Sequence, residues 1–363
     1  MSSGGSARSG RVKPSMTDVA ARAGVSLGTV SHVLNHPERV KESTRRRVHA
    51  AIDALGFVRN SQARSLAAGE NRTIGLVLVD LGNTLFVDIA RGAQQEATAR
   101  GMTLLLANSD NDDDLQDVHL DFFEGARVSG ILLAPMTDPR TGVDRVRRRG
   151  TPVVVLNYDS GRPDCCTVLV DNEQAGHLAA RHMLDLGHRR LAFVAGRDHL
   201  QPVRDRRRGV RRAVTDAGAE LVEIPTEDLS AGGGPGAAAR LAALPAHRRP
   251  DAVIAVTDLL GMGLVQELGR AGLAVPGDIA VMGCDYDKRA WGGAVPLTSV
   301  RMPGEEIGVA AVGLLVDEVA RGGEHRHETV VVQPSLVVRE SSAGREHDPL
   351  VAARSPAEPR RRG

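Results

Sequence analysis

From Arg72 onward the chain alternates short, continuous apolar runs with amphipathic stretches of helical period. The runs read "TIGLVLV", "TLLLANS", "GILLAP", "PVVVLN", "TVLVD", "RLAFVAG", "DAVIAVT" and "DIAVMGCD", and residues 172–186, 203–217 and 259–271 have the length and periodicity of helices. A strand that is apolar on both faces must be covered on both faces, which means a parallel sheet between helices. So many strands in one unit predict two doubly wound lobes, with a ligand site where loops leave the carboxyl ends of the strands. Nothing in these loops resembles a phosphate loop or a dinucleotide fingerprint.

The first 70 residues read differently. "RAGVSLGTVSHVLN" contains Gly24-Val25-Ser26-Leu27-Gly28, the GxSxG string of a serine hydrolase elbow. An elbow needs an apolar strand before its serine. Here Ser15 to Ala23 precedes it, a short helical stretch with a serine N-cap and Asp18 in its first turn. Gly24 stops that helix, and Ser26 caps a second one carrying Val30 and Val33. Val19, Val25, Val30 and Val33, with Ala20 allowing close approach, predict the small core of a helix-turn-helix. A third helical pattern runs over 42–55 and stops at Gly56, with Arg45, Arg46 and Arg47 on an exposed face that could touch phosphates.

Charge divides the chain at the same place. Residues 1–70 hold 11 Arg and Lys against 5 Asp and Glu, a net of +6; set against the chain's overall +1, this leaves −5 for the rest. A basic head on a mildly acidic body predicts a polyanionic partner for the head alone. No 18-residue apolar run and no secretory signal are present, so a cytoplasmic protein without a membrane partner is expected. The three cysteines fit a reducing compartment. Adjacent Cys165 and Cys166 lack the spacing of a zinc site and read as buried apolar residues, and neither a metal nor a cofactor is expected.

Taken together, "MTDVAARAGVSLGTVSHVLN", "VHAAIDALGFVRNSQARSLAAGENRTIGLVLVD", "LGHRRLAFVAG" and "VPLTSVRMP" resemble the LacI/GalR family of bacterial transcription repressors, from about Lys13 to Arg339. The resemblance implies a helix-turn-helix head, a hinge helix and a two-lobed core like that of periplasmic binding proteins. It also implies a dimer on a palindromic operator, whose grip a small molecule in the core modulates. On the head it points to Ser26, Leu27, Gly28, Thr29, Ser31, His32 and Asn35 as DNA contacts. His32 stands where the family usually has an arginine, and it can donate one hydrogen bond to guanine but not the bidentate pair. In the hinge it points to Asn60, Ala63, Arg64 and Leu66, the leucine being the wedge that unstacks the operator centre. In the core it points to Phe86, Tyr158, Asp171, Arg206, Thr257, Asp258, Asp285 and Trp291. Carboxylates, an arginine and an aromatic face are what a sugar or sugar derivative needs.

The expected divisions are a disordered arm over 1–12, the head over 13–60, hinge and linker over 61–71, the core over 72–340, and a disordered tail over 341–363. Lobe one would take about 72–171 and 303–329, lobe two about 172–302 and 330–340. The tail has one leucine and three prolines, so a leucine-heptad tetramer is not expected. Two rivals remain. An exported sugar receptor would lack the basic head, and an enzyme of the ribokinase or sugar-hydrolase sort would need a phosphate loop, metal cluster or strand-end triad.

Overall fold

The computed structural model describes residues 14–57, 71–196, 200–286, 290 and 295–343. The expectations placed on the N-terminal arm, on Asn60, Ala63, Arg64 and Leu66 of the hinge, and on Trp291 lie outside these residues. The chain divides into two units, Met1–Asn71 and Arg72–Gly363.

In the first unit, α1 (Met16–Ala23), α2 (Leu27–Asn35) and α3 (Glu42–Leu55) follow one another. Ser15 accepts the Asp18 N–H at 3.3 Å while the Asp18 carboxylate accepts the Ser15 N–H at 2.7 Å, a reciprocal capping box. Hydrogen bonds from the Ser15 side chain and backbone hold the Asp18 carboxyl below its ordinary range. Gly24, at φ 62°, turns the chain left-handed, where a side chain would be strained. The Ser26 hydroxyl then accepts the Thr29 N–H at 3.1 Å and starts α2. Val19, Ala20, Ala23, Val30, Val33, Val48 and Ala51 form the buried core, with Val25 partly buried against it.

The second unit holds two six-stranded sheets. The first takes β1 (Thr73–Leu78), β2 (Thr103–Asn108), β3 (Gly130–Leu133), β4 (Val153–Leu156) and β5 (Cys166–Val170) from one continuous segment. The second takes β6 (Arg190–Ala195), β7 (Glu220–Pro225), β8 (Ala252–Ala255), β9 (Ala280–Cys284) and β10 (Thr298–Arg301). The chain then returns: β11 (Thr329–Val332) completes the first sheet and β12 (Ser335–Val337) the second. The orders are β11-β5-β4-β3-β1-β2 and β12-β10-β9-β8-β6-β7. Every pairing is parallel except β10 with β12.

The helices between strands are α4 (Thr84–Ala99), α5 (Asp113–Gly125), α6 (Arg140–Arg148), α7 (Asn172–Asp185), α8 (Gln201–Asp216), α9 (Gly234–Ala242), α10 (Asp258–Arg270) and α11 (Gly304–Arg321), and α12 (Glu340–Ala343) follows β12. Two pairs approach at bare glycine. A Cβ at Gly92 of α4 would collide with the Glu305 carbonyl of α11, and one at Gly209 of α8 with the Glu173 carbonyl of α7. Among the described residues no helix is long and apolar enough to cross a membrane.

Two boundaries move. Residues 330–332, expected in lobe two, extend the first sheet, because Val330 to Val332 pair with Val168 to Val170. Residues 341–343, expected in the tail, belong to the core. The Ser341 hydroxyl accepts the Thr298 N–H at 2.8 Å and donates to the Val281 carbonyl at 2.6 Å, and Ser341 is fully buried.

Candidate functional site

On α2 the two faces separate cleanly. Val30 and Val33 are buried, while Leu27, Gly28, His32 and Asn35 are exposed and Thr29 and Ser31 half-exposed. Leu27, Ser31 and Asn35 lie four residues apart, as do Gly28 and His32, so these five make one outward stripe. Asn35 donates to the Ser31 hydroxyl at 3.2 Å. Leu27 is 50% exposed, unusual for a leucine in so small a core. A Cβ at Gly28 would meet only the Ser26 hydroxyl, at 3.8 Å, so the face is open there. Ser26 is held by Thr29 and preceded by a helix, which removes the elbow reading of GxSxG. The α3 arginines are partly engaged locally: Arg45 pairs with Glu42, Arg46 with Glu42 at 3.0 Å, and Arg47 donates to the Gly24 carbonyl at 3.3 Å.

In the second unit a cavity of about 440 Å³ opens among the loops at the carboxyl ends of both sheets. That volume suits a small organic ligand. Of the residues expected there, Phe86, Arg206, Thr257 and Asp285 line it. Arg206, only 5% exposed, is fixed on three sides. It donates through Nε to the Asn172 side-chain oxygen at 3.0 Å and through Nη1 to the Val256 carbonyl at 2.6 Å. Its Nη2 lies 3.3 Å from the Asp285 carboxylate. Two of five donors are thus hydrogen-bonded and a third nitrogen faces Asp285 as an ion pair, so the fork is preorganised for a ligand. The other Asp285 oxygen accepts from Asn83 at 3.1 Å. Asn83 follows a strand of the first sheet and Asp285 a strand of the second, so this bond spans the two lobes.

Three expected residues are elsewhere. Asp171 is the N-cap of α7, its carboxylate accepting the Gln174 N–H at 2.8 Å. Asp258 is 1% exposed and accepts from the Ser299 hydroxyl at 2.7 Å, tying α10 to β10. Tyr158 packs against the first-sheet cluster of Val77, Phe123 and Ile131, and burial pushes its phenol upward. Strand-end position alone does not decide whether a side chain looks outward or caps the next helix.

The cavity also uses residues not expected there. Asn157, at φ 52°, and Asn111, at φ 61°, both line it, as does Asp285 at φ 111°. Side-chain-bearing residues held at positive φ cost energy and collect at binding sites. Asp80, Glu227 and Asp228 add carboxylates. Asp80 and Asn157 end apolar runs at carboxyl termini of strands, so the strand-end rule could have named them.

Comparison with known proteins agrees with both halves. Residues 15–60 match the profile described as bacterial regulatory proteins, lacI family, and residues 180–342 that of a periplasmic binding protein-like domain. The chain is 33% identical over 330 residues to the HTH-type transcriptional repressor PurR of Erwinia tasmaniensis, covering 90% of this chain and 96% of that one. It is 34% identical over 344 residues, 91% and 95% of the two chains, to an uncharacterized HTH-type transcriptional regulator of Streptomyces limosus. Among solved structures, the CelR–cellobiose complex is 29% identical, covering 90% of this chain and 99% of that one, with TM-score 0.67. The lac repressor dimer bound to operator and the anti-inducer ONPF is 23% identical, covering 91% and 99%, with TM-score 0.78, a likeness of fold. A capped helix-turn-helix head followed by two parallel-sheet lobes, along nearly the full length of these relatives, places this chain in the lacI family of bacterial regulatory proteins, ligand-responsive transcription repressors and not enzymes.

Proposed function

We propose that the protein acts in the cytoplasm as a dimer on a palindromic operator, and that an uncharged polyhydroxylated molecule in the core cavity sets its grip. The observation carrying this is the Asn83–Asp285–Arg206 chain of contacts. A ligand inserted there bears on groups from both sheets at once, and so can bias their relative position. Ser26, Leu27, Gly28, Thr29, Ser31, His32 and Asn35 would face the major groove, with Leu66 wedging the centre and Asn60, Ala63 and Arg64 beside it. Dimer formation would cover Val118 and Phe122, which sit four residues apart on α5, 60% and 62% exposed.

The class of ligand follows from charge. Among the described residues, Asp80, Glu227, Asp228 and Asp285 line the cavity against one arginine, Arg206. Carboxylates accept hydrogen bonds from hydroxyls and repel phosphate. A structural neighbour described as a cellobiose complex has a ligand of this neutral kind. In a thermal-shift screen, neutral sugars and polyols should include the hit. At 100 times its dissociation constant a ligand adds about 2.7 kcal/mol, or roughly 5 °C or more for a core of this size. A phosphorylated sugar as the best stabiliser would sink the assignment.

Operator binding is tested with fluorescence anisotropy on a palindrome from the protein's own upstream DNA. Affinity should fall by about 10³–10⁵ between 50 and 200 mM salt if six to ten phosphates are contacted. Leu66→Ala should weaken specific binding by roughly 30- to 150-fold, the worth of one buried apolar side chain, and leave ligand affinity as it was. Equal affinity of Leu66→Ala and wild type for the operator would remove the wedge.

A further inference from the structure

Away from the cavity, Cys166 of β5, Glu318 of α11, and His325 and His327 on the segment leading into β11 converge. One ligand atom from each lies within 4.8 Å of every other. Cys166 Sγ is 3.1 Å from His325 Nε2 and 3.7 Å from His327 Nδ1, and His327 Nδ1 is 3.9 Å from Glu318 Oε2. We propose that these four side chains form a binding site for a divalent cation of the zinc class, holding the α11–β11 connection to the first sheet.

The geometry is near that of an occupied tetrahedral site. Zinc bonds of about 2.0–2.3 Å place neighbouring ligand atoms about 3.3–3.8 Å apart; the three separations given lie within a few tenths of an ångström of that range, and a pair at the 4.8 Å limit of the set would have to close by about 1 Å. A thiolate, a carboxylate and two neutral imidazoles supply two negative charges for a doubly charged ion, and the thiolate with imidazoles favours zinc over magnesium or calcium. The surroundings support this choice. His325 Nδ1 lies 2.8 Å from the Asp317 carboxylate, the carboxylate–histidine relation that fixes the tautomer and leaves Nε2 free for a metal. Arg147 donates to Glu318 Oε1 at 2.9 Å, which orients the carboxylate. Glu318 Oε2, on a side chain 8% exposed, has no hydrogen-bond partner. A buried carboxylate oxygen without a partner is costly, and a cation would satisfy it. Cys165 is not a ligand, since its thiol donates to the Val153 carbonyl at 2.8 Å. A depression edged by Asp317, Arg321, Glu324, Arg326 and Glu328 borders the cluster through Asp317, the partner of His325.

The probe is Co²⁺, added to the reduced full-length chain, with absorption read in the near ultraviolet and visible. Wild type should bind one equivalent with a thiolate-to-cobalt charge-transfer band and the intense visible bands of tetrahedral coordination, and Zn²⁺ should bleach them. Cys166→Ser should lose the charge-transfer band. His327→Ala should bind far more weakly. Asp317→Asn should keep the spectrum and lose about 10- to 100-fold in affinity. Should Cys166→Ser fail to fold, the His327 and Asp317 variants still decide, as both side chains are partly exposed. Weak, octahedral-type binding without the sulfur band, or cobalt binding unchanged in His327→Ala, would overturn the site.

Discussion

Arg206→Ala is expected to abolish the response to ligand while leaving operator affinity in its absence unchanged. The Asn172 oxygen and the Val256 carbonyl lose their donor, and the Asp285 carboxylate loses its ion-pair partner. The Asp285 side chain is 4% exposed, and a buried charge stripped of its partner costs about 3–5 kcal/mol. A lower unfolding temperature of the core is therefore part of the expected result. Ligand affinity should fall by roughly 10- to 150-fold, from the loss of a charged hydrogen bond worth about 1.5–3 kcal/mol. Adding Asp285→Asn separates the two effects. It removes the orphaned charge, so stability should partly return while ligand affinity does not. Arg206→Lys should fail as well, because a point charge cannot reach three acceptors that the planar fork spans. Calorimetry showing wild-type ligand affinity in Arg206→Ala would refute the site.

The second large effect lies in the helix seam behind that arginine. Gly209 of α8 has no room for a methyl group against the Glu173 carbonyl and the His177 amide of α7. Gly176 of α7 has none against the carbonyl of Arg206 itself. Backbone cannot rotate aside as a side chain can, so Gly209→Ala must push the helices apart. Such overpacking costs about 1–3 kcal/mol, sometimes more, or roughly 3–10 °C in the unfolding of the core. The separation also draws Arg206, one turn before Gly209, away from Asn172 at the start of α7. Ligand affinity should fall together with stability. Gly236→Ala is the control: it sits exposed in α9 with nothing within 4 Å of the new methyl. There the same substitution should stabilise by about 0.4–1 kcal/mol. If the two variants unfold at the same temperature, the close approach is not what holds this seam.

Much of the fold could be read from the chain alone, for a physical reason. Seven of the eight central strands, β1, β3, β4, β5, β6, β8 and β9, are apolar runs that mark strands covered on both faces. The helix ends are equally plain, because Ser15, Gly24, Ser26 and Gly56 each perform a backbone task that few residues can. What escaped was whatever is polar yet buried. The β10 sequence "TSVR" does not read as a strand, although Thr298 and Ser299 are fully buried. Their hydroxyls are satisfied by Arg339, Ser342 and Asp258, some forty residues away. Strand β7, "ELVEIP", carries the charges suited to a sheet edge. The same limit applies to the cavity. Arg206 and Asp285 were legible, whereas Asp171 and Asp258 are equally acidic and equally placed at strand ends. Only the local hydrogen bonds decide that one caps a helix and the other ties two elements together. The cluster around Cys166 was hidden by distance along the chain, since its histidines lie 159 and 161 residues further on.

The return of the chain to the first sheet has a consequence for synthesis. A nascent chain that has emerged as far as β10 holds every strand of the first sheet except β11, its edge, and lacks α11, which covers α4 at Gly92 and Gly308. The first lobe must therefore wait on the ribosome with an apolar face uncovered until the second lobe has been made. The head is under no such delay, because all seven residues of its buried core lie before Ile52. A premature stop near residue 300 would thus remove structure from the lobe encoded first, and would leave an intact DNA-reading head attached to a core that cannot close.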